Sequence, residues 1–207
     1  MTKRIALIRH GKTIGNLEKR YIGITDEPLC PEGIKEIKKR CYPKADLVFC
    51  SPLLRCKETA GLIYPKMPPV VVEDLKETDF GRFEGRNACE LSMDLDYQLW
   101  LSSGGEMAFP DGESQETAVQ RSVDGFVTCM HLSGDAPNIS FVVHGGTIMA
   151  IVRYLFGGDY YSYQVENGEG YTFELSHNGI YSGLCHRSYL GGSPLFLSSG
   201  QMDGKAH

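Results

Sequence analysis

The chain has 207 residues, 42% of them hydrophobic and 23% charged, which is enough for one domain with a full core and ordinary for a soluble globular protein. Its formal net charge of -5, with no basic run and no alternation of Arg with aromatics, argues against nucleic acid as a partner. No stretch approaches a membrane span, Ile5 to Ile8 is too short for a signal peptide, and the seven cysteines lack Cys-x-x-Cys spacing; no membrane, no disulfide framework and a cytoplasmic location are expected.

In chain order, short β-branched runs alternate with longer helical patterns, as a layered α/β domain requires. Ile5-Ala6-Leu7-Ile8 reads as a buried strand, and Pro31-Glu32-Gly33 opens an amphipathic helix ending near Arg40. Asp46 to Cys50 is a second strand. Ser51-Pro52 behind it has the cap and first-turn proline of a helix running to about Ile63. Val70-Val71-Val72 is a third strand. Asn87 to Leu101 and Ser114 to Leu132 read as helices, Ile139 to Val143 as a fourth strand, and Gly146 to Phe156 as the helix behind it. Gly170 to Leu175 and Ile180 to Leu184 form a closing pair of strands joined by the turn His177-Asn178-Gly179. The domain is expected to span residues 1–190, with a Gly- and Ser-rich tail over 191–207.

Two segments share one construction, an apolar strand followed by His and Gly: Ile8-Arg9-His10-Gly11 and Val143-His144-Gly145-Gly146. Ligands of α/β sheets bind at the carboxyl ends of the strands, so parallel neighbours would turn both imidazoles into one crevice. The glycines let backbone N–H groups approach a ligand, and the following helix brings its positive dipole end. Ser51-Pro52-Leu53-Leu54-Arg55 adds a guanidinium on the first turn of another helix. Singly, each residue has an ordinary reading: a histidine after a strand is a hydrogen-bonded turn residue, and an Arg at a helix start is solvated. Together, Arg9, Arg55, His10 and His144 make an anion trap in an acidic chain. Phosphate chemistry uses all of them, because Arg forks match phosphate oxygens and neutral imidazole is a nucleophile near neutral pH. Two histidines without a carboxylate at ligand spacing are a poor metal site, so no metal is expected. The lack of Gly-x-Gly-x-x-Gly after the first strand disfavours a dinucleotide cofactor, and the lack of Gly-x-Ser-x-Gly disfavours a serine hydrolase; no cofactor is expected.

Arg9, His10, Gly11, Thr13 and Asn16 form the pattern Arg-His-Gly-x-Thr-x-x-Asn. Behind it come Tyr21 to Leu29, Ser51-Pro52-Leu53-Leu54-Arg55, Leu75 to Gly85, Asp111-Gly112-Glu113-Ser114 and Val143-His144-Gly145-Gly146. This ordered set, covering most of the chain from Ile5 to Phe156, resembles the histidine phosphatase superfamily in its phosphoglycerate-mutase-like branch. Lys12 departs from the acidic residue often found there, and Phe83 from a common Trp. The resemblance implies a three-layer α/β/α sandwich with a mixed, mostly parallel sheet. It also implies that His10 is the nucleophile, His144 the second catalytic histidine, Arg9 and Arg55 the phosphoryl clamps, and Glu77 the proton donor. Spacing alone does not separate Glu77 from Asp79 or Glu84. Asn16, Thr13, Gly23, Glu113 and the Gly145 N–H are further candidates for holding the substrate.

Mutases of this type carry extra segments before the second histidine, whereas Glu77 to His144 is compact here. Tyr21 to Leu29 is similar to the corresponding stretch of small α-ribazole phosphatase-type enzymes. The expected function is hydrolysis of a small phosphorylated metabolite, with α-ribazole 5′-phosphate one candidate, through a phosphohistidine. The alternatives are a phosphoglycerate mutase dependent on 2,3-bisphosphoglycerate and a phosphate-ester binding module without catalysis. Tyr97, Trp100 and Phe109 read as core rather than as a stacking surface.

Overall fold

A computed structural model describes residues 2–176, 179, 181–187 and 189. Ile5 to Ile8, apolar and buried on both faces, form the middle of strand β1 (Lys3–Arg9). A single helical turn, α1 (Ile14–Leu17), and the amphipathic α2 (Pro31–Lys39) lead to β2 (Leu47–Cys50) and α3 (Leu54–Ile63). Then come β3 (Val70–Val71), the 3₁₀ turns Glu73–Leu75 and Gly81–Phe83, α4 (Ala88–Leu91), α5 (Leu95–Ser102) and α6 (Gln115–Leu132). The chain closes with β4 (Asn138–Val143), α7 (Gly145–Phe156), a 3₁₀ turn Tyr160–Tyr163, β5 (Gly170–Leu175) and β6 (Tyr181–Arg187).

The six strands form one sheet in the order β3-β2-β4-β1-β5-β6; β1 to β4 run parallel, and β5 and β6 are antiparallel additions. Alternation along the strands divides the core in two. Ile5, Leu7, Phe49, Ile139, Phe141 and Val143 face one way and pack on Phe126 and Cys129 of α6 and on Ile148, Ile151 and Val152 of α7. Val48, Cys50 and Val142 face the other way, onto Cys56 and Ala60 of α3, which has α2 beside it. The result is the expected three-layer α/β/α sandwich with a mixed, mostly parallel sheet.

Two elements differ from the sequence reading. The helix expected from Asn87 to Leu101 is two helices. Asn87 caps α4 in a reciprocal box with Glu90, and Asp94 caps α5 by accepting the Asp96 N–H, so the chain restarts between them. The helix expected to begin at Ser51-Pro52 starts at Leu54, whose N–H is taken by the Asp26 carboxylate at 2.6 Å. The expected turn at His177-Asn178 and the tail over 191–207 lie outside the described residues. Among the described residues no helix is long and apolar enough to cross a membrane.

Candidate active site

Strand register fixes the site. In the β1–β4 pair Arg9 is level with Val143, so the next residues, His10 and His144, leave parallel neighbours side by side. Their rings meet edge to face with centroids 5.1 Å apart, and the His10 N–H donates to the Val143 carbonyl at 2.9 Å. On the far side of β4, Cys50 is level with Val142, which brings Ser51 Oγ to 2.7 Å from His144 Nε2. Arg55, on the first turn of α3, places its Nε 3.3 Å from His10 Nε2. Its remaining nitrogens donate to the carbonyls of Thr25 (2.8 Å), Ile22 (3.3 Å) and Gly23 (2.7 Å). His10 Nδ1 lies 2.7 Å from the Gly11 carbonyl. A carbonyl only accepts, so the proton of neutral His10 sits on Nδ1 and the lone pair on Nε2, facing Arg55.

His10, Arg55 and His144 are all buried. Burial, then the charges of Arg55 and Arg9, hold the His10 pKa well below its ordinary value. Burial, then Arg55, His10 and Arg9, do the same for His144. Burial also lowers the pKa of Arg9, against the opposing pull of Glu77. Arg9 gives one terminal nitrogen to the Val165 carbonyl at 2.7 Å, while its Nε is buried without a hydrogen-bond partner. An unmet buried donor costs about 1–3 kcal/mol, and a bound anion would satisfy it. Glu77 lies at the amino end of α7, accepting from the Thr78 N–H (2.9 Å) and the Gly146 N–H (3.4 Å). A Cβ on Gly146 would stand 2.5 Å from Glu77 Oε1, so only glycine permits this approach.

A cavity of about 530 Å³ opens over this edge of the sheet. Arg9, Glu77, Gly145 and Gly146 line it; Tyr21, Phe80, Trp100, Phe109, Tyr160 and Tyr161 supply aromatic wall, and Glu166, Glu169 and His186 polar wall. His10, His144 and Arg55 are not among its lining residues. Trp100 and Phe109 thus belong both to the small aromatic core, which also contains Phe83, Leu91 and Tyr97, and to the cavity wall.

The histidine phosphatase superfamily (branch 1) matches residues 5–183. The chain belongs to this superfamily. Its relatives there include both phosphatases and mutases. It is 31% identical over 163 residues to an uncharacterized phosphatase of Bacillus subtilis, covering 75% of this chain and 78% of that protein. It is 32% identical over 165 residues to a 2,3-bisphosphoglycerate-dependent phosphoglycerate mutase of Gloeobacter violaceus, covering 73% of this chain and 74% of the relative. The crystal structure of the alpha-ribazole phosphatase from Shigella flexneri superposes with a TM-score of 0.80 at 26% identity, over 92% of this chain and 98% of the other.

In this member of the superfamily the remaining sequence candidates sit around the cluster rather than inside it. Thr13 caps α1: its Oγ1 accepts the Asn16 N–H at 3.3 Å, and Asn16 Oδ1 accepts the Thr13 N–H at 3.2 Å. The Gly23 N–H is held by both carboxylate oxygens of Glu84, at 3.0 and 3.1 Å, while its carbonyl holds Arg55. A Cβ there would fall 2.0 Å from the Thr78 carbonyl oxygen. Glu113 accepts two hydrogen bonds from Arg121, at 2.9 and 2.7 Å, and one from the Asp79 N–H at 2.9 Å. Burial would raise the Glu113 pKa, but Arg121 and the Asp79 N–H outweigh it and hold the carboxyl below its usual range.

Sequence reasoning misses Arg121, and it offers Glu84 only as an alternative to Glu77, not as the group that holds the Gly23 N–H. Arg121 also donates to the carbonyls of Asp74, Lys76 and Glu77 at 3.0, 2.8 and 3.3 Å, clamping the segment that carries Glu77. It reads in sequence as one more polar residue of a helix. Cys56 is missed too: its Sγ lies 3.5 Å from His144 Nε2, and burial pushes its thiol pKa up, which makes it inert packing rather than a second nucleophile.

Proposed function

We propose that this chain is a phosphomonoesterase that works through a phosphohistidine on His10. The observation that carries the proposal is the Nε2 lone pair of a buried, neutral His10, set among two arginines and a second neutral imidazole. His10 Nε2 gives its electron pair to phosphorus while the P–O ester bond breaks, and protonated Glu77 hands its proton to the leaving alkoxide. Arg9, Arg55 and His144 bind the equatorial oxygens, helped by the Asn16 amide and the Gly145 N–H at the α7 amino end. Water then attacks phosphorus and gives a proton to the Glu77 carboxylate, and the P–N bond returns its pair to His10. General acid assistance of this kind is worth about 10²–10⁴ in rate. Thr13, Gly23 and Glu113 serve this scheme as framework, through Asn16, Arg55 and the Glu77 segment respectively.

The cavity favours hydrolysis of a ring-bearing ester. Among the described residues Arg9 is the one Arg or Lys in its lining, and Glu166 and Glu169 lie on its wall. A leaving group with a second anionic charge, such as phosphoglycerate, meets carboxylates there, whereas a flat uncharged ring meets aromatic faces. α-Ribazole 5′-phosphate has this character. All seven cysteines are free thiols, which supports a reducing, cytoplasmic location. The 32% identity to a mutase is the observation behind a second reading, phosphoryl transfer between hydroxyls of phosphoglycerate.

The test is phosphate release in excess EDTA from p-nitrophenyl phosphate, α-ribazole phosphate, 3-phosphoglycerate, phosphoserine and sugar phosphates. Hydrolysis under chelation, fastest for a ring-bearing ester, is expected. Isomerisation of 3-phosphoglycerate only when 2,3-bisphosphoglycerate is added would move the function to mutase, and binding without turnover of any ester would leave a binding module.

A further inference from the structure

The segment from Val165 to Glu169 wraps the Arg9-His10 dipeptide and is absent from the motifs that mark the site. The Glu169 carbonyl accepts the Arg9 N–H at 2.8 Å, and the Gly168 N–H is shared between the carbonyls of Arg9 (3.1 Å) and His10 (3.2 Å). At its centre is Asn167, 7% exposed, whose Nδ2 donates to the His10 carbonyl at 3.0 Å and to Asn16 Oδ1 at 3.1 Å. Backbone groups fix both amide orientations. The His10 carbonyl can only accept, so the end of Asn167 facing it is Nδ2; the Thr13 N–H can only donate, so the end of Asn16 facing it is Oδ1.

We propose that Asn167 is a positioning residue that sets the polarity of Asn16. With Oδ1 committed to two donors, the Thr13 N–H and Asn167 Nδ2, the free end of the Asn16 amide is its Nδ2, a donor suited to a phosphoryl oxygen. The same Asn167 nitrogen ties this orientation to the backbone of the nucleophile. The inference rests on Asn16 being a phosphate ligand, as the proposed function has it.

Asn167→Asp keeps the shape and replaces the donor by an acceptor. The new carboxylate faces two oxygens, and Asn16 must either shift away or turn its amide, which sets its nitrogen against the Thr13 N–H and its oxygen toward the phosphate; either way the phosphate donor is mis-set. The experiment measures the inhibition constant of inorganic phosphate, together with Tm, for wild type, N167D, N16A and the N16A/N167D double variant. N167D is expected to weaken phosphate by about tenfold or more, the scale of one mis-set buried polar contact. In the N16A background the same change should cost less than about twofold, because the group it misdirects is gone. An equal loss in both backgrounds would overturn the orientation role while leaving Asn16 as a ligand. An N16A variant with wild-type phosphate affinity would remove the Asn16 reading and the inference with it. If N167D does not fold, N167A, which deletes the donor without adding charge, carries the same cycle, with a smaller but still Asn16-dependent loss expected and an Asn16-independent one contradicting it.

Discussion

Residue by residue, the proposed chemistry falls to groups whose surroundings differ in kind. His10 is held neutral with its lone pair on Nε2, so His10→Ala should abolish both turnover and phosphoenzyme; substantial residual activity by steady-state assay would remove the nucleophile assignment. Glu77→Gln keeps one oxygen, which can still accept the Thr78 N–H, but loses the acceptor that faces the Gly146 N–H and cannot act as the acid. It should slow alkyl phosphates, which leave as poor alkoxides, by about 10²–10⁴, and aryl phosphates much less. Equal losses on both ester types would argue for a different acid. Arg55 carries a structural duty as well, since its guanidinium fills the carbonyls of Ile22, Gly23 and Thr25 in the buried interior. Arg55→Ala should therefore lower stability by about 3 kcal/mol in urea unfolding, beyond its loss of activity. Unchanged stability would show that the loop has other support.

At the scale of elements, the site depends on where strands end and helices begin. The amino end of α7 touches Glu77 through Gly146, and an added methyl at that position displaces the carboxylate. Gly146→Ala should cut kcat by about 10²-fold through misplacement of the acid, with KM changed far less; a purely structural role would instead show as lost Tm at unchanged kcat. What is legible in the sequence follows the same division. The strand ends are legible because each is a short apolar run stopped by His-Gly, and parallel register then brings His10 and His144 together without further information. The start of α3 is not, because Ser51 is drawn to His144 and the helix takes its cap from Asp26, 28 positions earlier in the chain. The same holds for Arg121, Glu84 and Asn167: each acts on a backbone segment more than forty positions away, and no local pattern records such a contact. The break between α4 and α5 is encoded, but by two caps, Asn87 and Asp94, inside a run whose apolar residues suit one continuous helix.

At the scale of the whole molecule, burying two neutral histidines couples folding to pH. Both have folded pKa values well below the unfolded value of 6.5, so the unfolded chain binds more protons once the pH falls under that value. The stability these groups contribute is fully present above about pH 6.5 and is lost progressively as pH falls toward the folded values. Tm should decline from pH 7 to pH 5.5, and the decline should be shallower in a His144→Asn variant; identical slopes would show that other groups set the acid limb. In the proposed function the sandwich, the cavity and the buried cluster all serve one chemical event, transfer of a phosphoryl group to His10. The most direct test is rapid quenching of the enzyme during turnover of p-nitrophenyl phosphate in EDTA, followed by peptide mass spectrometry under alkaline conditions that preserve phosphohistidine. One phosphoryl group is expected on the peptide containing His10, formed and discharged at rates that match turnover. A phosphoryl group on any other residue, or steady turnover with no phosphoenzyme in His10, would contradict the proposed function.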